Sequence, residues 1–220
     1  MKKIDDSFKI SILTPSYNTG PYLERAIQSV QAQSYTNWEH IIIDGGSTDD
    51  TPSILQKYPH LKWVSEKDKG QSDAMNKAFE RATGDIIAYL NADDAFAAGA
   101  FETVAAHFSK NPTCQFVVGH LKTIHEKGAE NVYIPSTNLL DILNLEPLTF
   151  PRNPVSYFYK KEVQKTIGAF PVANHYTMDY WFLLRAYWHF DIQLIPKVLG
   201  TFYYHQDNKT NDLDRGGHSV

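Results

Sequence analysis

With 220 residues, 42% of them hydrophobic and 21% charged, the chain has the balance of an ordinary folded domain and not of a disordered one. A formal net charge of -4 and the lack of any long basic stripe argue against a nucleic-acid partner. No stretch approaches the roughly 20 apolar residues of a membrane span, and the opening MKKIDDSFKI has no apolar run behind its lysines and so is no signal peptide.

The first half alternates strand and helix signals. KISILTPSYN (9–18) is a β-branched run ending in Thr14, Pro15 and Ser16. Pro21 marks a helix start, and Leu23, Ala26, Ile27 and Val30 recur at helical spacing. WEHIIIDGGS (38–47) reads as a second strand, 51–58 as a short helix and LKWVSE (61–66) as a third strand. Ser72 is the expected N-cap of the helix DAMNKAFERA, with Ala74, Ala78 and Ala82 on one face and Gly84 as its stop. IIAYL (86–90) is a fourth strand, followed by a helix over 101–108 and a strand over 115–121.

Short turns and nearly continuous apolar strands predict an α/β fold: a mostly parallel sheet flanked by helices. The second half is rich in aromatics and proline, as in LEPLTFPRNPVSYFYKK and HYTMDYWFLLRAYWHF, and contains no linker or repeat. It is expected to continue one domain, 1–220, and to build a second wall of a cleft. The single cysteine, Cys114, can form no internal disulfide. It suits a reducing compartment and a place in the core. The expected setting is cytoplasmic.

In such sheets ligands bind outside the carboxyl ends of the strands. Thr14 to Asn18, Asp44 to Ser47 and Asn91 to Asp94 all fall there. Adjacent carboxylates repel unless a cation or hydrogen bonds hold them. Asn91-Ala92-Asp93-Asp94 therefore reads either as a site for magnesium or manganese carrying a phosphorylated ligand, or as a turn before the next helix. Asp44-Gly45-Gly46-Ser47 reads either as a close approach to a nucleoside or as a glycine turn. Asp179, in the first turn of the MDYWFLLRAYW helix, is either a dipole-stabilised acid or a general base, with Tyr180 and Trp181 to desolvate it. In HQDNKT, His205 is a candidate metal ligand and Lys209 a candidate phosphate contact; the alternative is a structural or exposed histidine. Dinucleotide and P-loop fingerprints are absent, as are zinc-hydrolase spacing and a G-x-S-x-G elbow.

In this order, TPSYNTGPYLERAIQSVQAQSY, IIIDGGSTDDT, KDKGQSDAMNKAFERATGDIIAYLNADD, HYTMDYWFLLR and HQDNKT resemble the family 2 inverting glycosyltransferases of the GT-A fold, in particular the small bacterial enzymes of polysaccharide and cell-surface glycan synthesis. The likeness is dense over about 9–111, the nucleotide-sugar half, and patchier over 112–220, the acceptor half. It implies a nucleotide-sugar donor (a UDP-sugar by default, a GDP- or dTDP-sugar otherwise), Mn2+ or Mg2+, and a glycan or lipid-linked sugar acceptor. A lipid-linked acceptor would be met at the inner face of the membrane.

By position, the resemblance implies that Thr14, Pro15, Tyr17 and Asn18 line the nucleotide pocket. Asp44 would bond the base beside Gly45 and Ser47. Lys69, Gln71, Asp73 and Asn76 would lie by the ribose, diphosphate or donor sugar. Asn91, Ala92 and Asp93 stand at the family's D-x-D, with Asp93 on the metal. Asp179 stands at the catalytic acid, and His205 and Lys209 would close over the diphosphate. Trp181 is the expected acceptor platform, and most of the other aromatics are expected in the core. Three departures stand out: Asn91 for Asp, Trp181-Phe182 where an acid and Leu-Trp are usual, and Asn153 to Ser156 in place of a glutamine. The last two are expected to bear on acceptor choice. The rival readings are a non-catalytic nucleotide-sugar binder and a sugar nucleotidyltransferase, whose glycine- and arginine-rich loop TPSYNTG lacks.

Overall fold

A computed structural model describes residues 8–144, 149–174 and 176–209. Most of the N-terminal decapeptide, part of the proline-rich stretch, His175 and Thr210 lie outside these. In chain order the elements are β1 (Ile10–Ser16), α1 (Gly20–Gln31), β2 (Trp38–Asp44), α2 (Thr51–Gln56), β3 (Lys62–Ser65), α3 (Gln71–Arg81), β4 (Ile86–Tyr89), β5 (Ala95–Phe96), α4 (Ala100–Lys110), β6 (Phe116–His125), β7 (Glu130–Tyr133), α5 (Leu139–Leu143), a 3-10 turn (Pro154–Ser156), β8 (Tyr157–Lys160), α6 (Lys161–Ile167), α7 (Met178–His189) and β9 (Ile192–Tyr204).

Among the described residues the strands form one sheet in the order β3-β2-β1-β4-β8-β6-β9-β5, with β7 paired to β6. The first four strands are parallel, as the apolar runs predict. Beyond β4 the sheet is mixed: β8 is antiparallel to β4 and β6, while β9 runs parallel to β6. The register aligns the polar strand ends, Ser16 beside Asp44 and Asp44 beside Ser65. This alignment makes one edge of the sheet chemically distinct.

Side chains alternate between the sheet's faces. Leu13, Ile41, Ile43, Ile87 and Tyr89 pack with α3, α6 and α7. Ile10, Ile12, Ile86 and Ala88 pack on the other face with α1 and α4, where Cys114 also lies in the core. On α1 the buried residues are Leu23, Ala26, Ile27 and Val30, as the periodicity predicts. Helix α7 buries Met178, Phe182, Leu183, Ala186 and Tyr187, and each large apolar side chain contributes about 1.5–3 kcal/mol. Asp179 is thus carried on a firmly seated helix.

Some expectations change. Ser72 does not cap α3; the helix starts at Gln71 after Gly70, which adopts φ 103, a left-handed conformation that suits glycine. The Gly70 carbonyl accepts the first helical bonds, from the Asp73 N–H at 3.0 Å and the Ala74 N–H at 3.2 Å, so the helix begins ahead of Ser72. The helix ends at Arg81, ahead of Gly84, with Ala82 already extended. The two-residue strand β5 was too short for a periodic signal, yet it pairs Ala95 with Thr201 and Phe96 with Gly200 on β9. That pairing brings the end of β9, and with it His205, back to the turn that follows β4.

Candidate active site

Asp93 and Asp94 are neighbours in sequence and opposites in environment. Asp94 is fully buried. Its carboxylate accepts from Asn153 Nδ2 at 2.7 Å, Asn91 Nδ2 at 3.2 Å and the Tyr203 backbone N–H at 3.2 Å. Burial, reinforced by the charge of Asp93, pushes the Asp94 carboxyl well above the usual range. Asp94 therefore clamps the 91–94 turn to β9 and to the 3-10 turn, and Asp93 is the member left facing the crevice.

Asp93 Oδ2 lies 3.1 Å from His205 Nε2 and 3.0 Å from Asn208 Nδ2. The Asp93 carbonyl accepts from Arg25 Nη2 at 2.6 Å, and the Arg25 guanidinium lies 3.7 Å from the centre of the Tyr203 ring. Tyr22 stacks on His205 with ring centres 4.1 Å apart. Arg25, Tyr22 and Asn208 were not singled out from sequence. Tyr22 and Arg25 are three apart on α1 and share one face, and Asn208 lies inside the quoted HQDNKT.

Lys209 Nζ reaches Gln71 Oε1 at 3.4 Å, and Gln71 Nε2 reaches Asn91 Oδ1 at 3.3 Å. Both contacts are long, so the chain they make is loose. Lys209 also lies over the Tyr176 ring, 5.2 Å from its centre. Asp179 sits partly buried in the first turn of α7. Burial raises its carboxyl to about 6, against the opposing pull of the Lys209 ammonium. The end of the chain described here therefore links the Asp93 turn on one wall to Asp179 on the other.

Other expected site residues take different places. Thr14 and Pro15 are buried in β1, and Thr14 Oγ1 pairs with His40 Nε2 at 2.9 Å. Tyr17 is 62% exposed at the mouth of the crevice. Asn18, at φ 51, accepts from the Thr48 N–H at 2.9 Å through Oδ1 and donates its own N–H to Ser47 Oγ at 2.7 Å, which ties the first loop to the second. Asp44 is buried and accepts from the Ser47 N–H at 3.0 Å, from Ser47 Oγ and from Ser65 Oγ at 2.5 Å. A Cβ on Gly45 would fall 2.8 Å from Asp68 Oδ2, so the protein's own carboxylate accounts for that glycine.

Lys69 is exposed, and its N–H donates to Asp73 Oδ2 at 3.1 Å. Partial burial would raise the Asp73 carboxyl, but the bonds from Lys69 and Lys77 hold it below the usual range. Asn76 exchanges two bonds with the Phe170 backbone, at 2.9 and 2.8 Å. Ser72 Oγ donates to the Asn174 carbonyl at 3.3 Å. These two residues moor the approach to α7 onto α3 and set the spacing of the walls. Ala92 is buried beneath the turn.

Two acceptor-side expectations are corrected. Asn153, Pro154, Val155 and Ser156 are buried, and Asn153 serves Asp94, so that departure cannot touch an acceptor. Phe182 is fully buried as well. Trp181 is partly buried against the core, with Arg185 over its ring at 4.8 Å. Tyr157, Phe158, Tyr159 and Tyr187 are core residues as expected, whereas Trp188 is 69% exposed.

Among the described residues no group of three or more His, Cys, Asp or Glu side chains converges to hold a metal. Asp93 and His205 nevertheless form a close oxygen and nitrogen pair. Magnesium and manganese are commonly held by one or two protein ligands together with substrate phosphate oxygens and water, so the pair fits such an ion. No helix among the described residues is long and apolar enough to cross a membrane.

The sequence model of the family described as Glycosyl transferase family 2 matches residues 11–182. TuaG of Bacillus subtilis (strain 168), a glycosyltransferase assigned to teichuronic acid biosynthesis, is 44% identical over 91 residues, covering 39% of this chain and 36% of that protein. Staphylococcus aureus TarS 1–349 in complex with UDP has a similar fold, with a TM-score of 0.75 at 21% identity over 89% of this chain and 60% of that one. The mannosyltransferase PcManGT from Pyrobaculum calidifontis, in complex with GDP-Man and Mn2+, gives a TM-score of 0.66 at 21% identity over 94% of this chain and 60% of that one. The fold is therefore that of GT-A glycosyltransferases. The matched stretch spans about a third of the length of TuaG and less of other curated relatives.

Proposed function

Because the chain belongs to glycosyl transferase family 2, we propose that it transfers a sugar from a nucleotide-sugar donor to an acceptor hydroxyl, with inversion, in the synthesis of a cell-surface polysaccharide. The observation that carries this is the pairing of two unlike acids across one crevice. Asp93 is paired with His205 and Asn208. Asp179 accepts no hydrogen bond among the described residues and is raised to about 6.

Asp93 and His205 would hold a divalent cation, which supplies charge stabilisation to the departing nucleoside diphosphate. Lys209, on the same segment, contributes a second positive charge at that place. Asp179 takes the proton of the acceptor hydroxyl as its oxygen attacks from the face opposite the diphosphate. A carboxylate near 6 suits this work, being ionised at neutral pH yet more basic than an ordinary aspartate. Tyr17, Asn18 and Ser47 cluster where a base and ribose would enter. The complexes of TarS with UDP and of PcManGT with GDP-Man and Mn2+ support a nucleoside diphosphate and a metal. The name of TuaG supports a polysaccharide product.

Calorimetric titration with UDP, GDP and dTDP, each in Mn2+ and in EDTA, tests the donor side. Metal-dependent binding of one nucleotide, lost in Asp93→Ala, is the expected result. Binding of none, or equal binding in EDTA, would refute the metal-assisted donor site.

A further inference from the structure

Four buried tyrosines, Tyr89, Tyr157, Tyr159 and Tyr187, meet in the core that seats α7. Tyr89 and Tyr159 donate to Gln164 Oε1 at 3.2 and 2.6 Å, and Tyr187 donates to the Ser136 carbonyl at 2.8 Å. The Tyr157 hydroxyl is sealed from solvent and has no partner among the described residues. We infer that Tyr157 is a positioning residue for the proposed base: its hydroxyl donates to the Asp179 carboxylate through one enclosed water, which fixes one carboxylate oxygen and leaves the other for the acceptor hydroxyl. The inference rests on the base reading given above and names the residue that orients the base.

The strand register puts Tyr157 at the right end of the sheet. β8 runs antiparallel to β4, with Lys160 beside Ile86 and Tyr159 beside Ile87. The same register sets Tyr157 level with Tyr89, the last residue of β4, where the chain leaves for the 91–94 turn. Asn153, just ahead of Tyr157, is bonded to Asp94 of that turn. The Tyr157 side chain lies on the face that α7 covers, in one core with Met178, Phe182 and Leu183. The Phe116 ring sits 5.6 Å from the Tyr157 ring and 6.4 Å from the Phe182 ring. Met178 adjoins Asp179 in the first turn of that helix.

A buried hydroxyl without an acceptor is costly and rare. A carboxylate without donors is its complement, and Asp179 is one among the described residues. Burial first, and then the charge of Asp179, pushes the Tyr157 hydroxyl well above the usual tyrosine range, so it keeps its proton and can donate. Tyr159 also feels the Asp179 charge, but its hydroxyl is already given to Gln164. Tyr89 and Tyr187 face Tyr157 and have acceptors of their own. Lys209 acts on Asp179 from the crevice side. Tyr157 and Asp179 share no direct bond, and a water between such a donor and acceptor bonds nearly as well as a direct contact.

The test is carbon-13 NMR titration of the Asp179 carboxyl in the full chain, assigned with Asp179→Asn, for wild type and Tyr157→Phe, joined to urea unfolding of both at pH 8. Loss of a donor disfavours the charged carboxylate, so Asp179 in Tyr157→Phe should titrate higher by about half a unit or more. Tyr157→Phe should also unfold at a lower urea concentration, whereas removing a hydroxyl that had no partner would raise it. A 3-fluorotyrosine at position 157 is a stronger donor and should move the titration the other way, which covers the case in which the phenylalanine variant does not fold. An Asp179 titration that neither replacement moves, or a more stable Tyr157→Phe, would overturn the role of Tyr157 alone. Wild-type turnover in Asp179→Asn would overturn the base and the positioning role together.

Discussion

The two walls of the crevice treat a carboxylate in opposite ways. On the strand-end wall Asp44 accepts three hydrogen bonds from Ser47 and Ser65, and Asp94 accepts three from Asn91, Asn153 and Tyr203. On the helix wall Asp179 accepts none among the described residues and rises to about 6 through burial. Hydrogen bonds fix an acid in place and satisfy its lone pairs. Burial raises the carboxyls of Asp94 and Asp179 alike, but of these two only Asp94 has donors among the described residues that hold it in place, so the walls differ in how firmly the acid is fixed. One wall holds its acids by hydrogen bonds, and the other carries Asp179 without one among the described residues, as the proposed general base requires.

Removing the acid from the helix wall gives the largest expected effect. Asp179→Asn should lower turnover about 100-fold or more, the weight of a general base, while nucleotide affinity stays at the wild-type value. It should also stabilise the fold at neutral pH. The folded-state value of Asp179 lies above the ordinary aspartate value of 3.8. Ionisation therefore costs stability, a cost absent below the unfolded value and complete above about pH 6. The gain at pH 8 should be at most about 3 kcal/mol, reduced by the partial exposure of the group, and should vanish near pH 3. Urea unfolding at both pH values reads it. Wild-type turnover would remove Asp179 from the chemistry and dissolve the contrast.

A somewhat smaller effect is expected on the other wall, with the opposite sign for stability. Asp94→Ala leaves Asn91, Asn153 and the Tyr203 N–H without their acceptor, and buried orphans of this kind cost about 2–3 kcal/mol in all. Asp93→Ala, at a side chain 24% exposed, should cost less stability and more nucleotide affinity. If the two variants unfold at the same urea concentration, the division between a clamp and a facing ligand is wrong.

The smallest effect sharpens the link between the walls. The kcat/KM of the free enzyme should fall as pH drops through about 6, where Asp179 gains its proton. Lys209 lowers the Asp179 value, so Lys209→Met should move this acid limb to higher pH by a fraction of a unit. An unmoved limb would mean that Lys209 does not act on Asp179.

Much of the donor side was legible because its signals are local. Strand periods, a proline at a helix start and polar residues at strand ends are short-range patterns, and they located β1 to β4, α1 and the 91–94 turn. Asp93, Asp179, His205 and Lys209 were named from motifs, and the fold brings them to one crevice. Asn153 was misplaced and Arg25, Tyr22 and Asn208 were overlooked because their partners are distant: Asn153 meets Asp94 across 59 positions, and Asn208 meets Asp93 across 115. Phe182 misled for a related reason, since an aromatic helix face reads alike whether it meets an acceptor or the core.

The sequence by itself determined the parallel start of the sheet, the polar edge at its strand ends and the acids available there, because each follows from residue type and spacing within about a dozen positions. Tertiary structure alone decided which of two adjacent aspartates turns inward. It also decided that Thr14 pairs with His40, and that a two-residue β5 returns His205 to Asp93. Those outcomes rest on hydrogen bonds and strand pairing between distant segments, and on which carboxylates the interior supplied with donors.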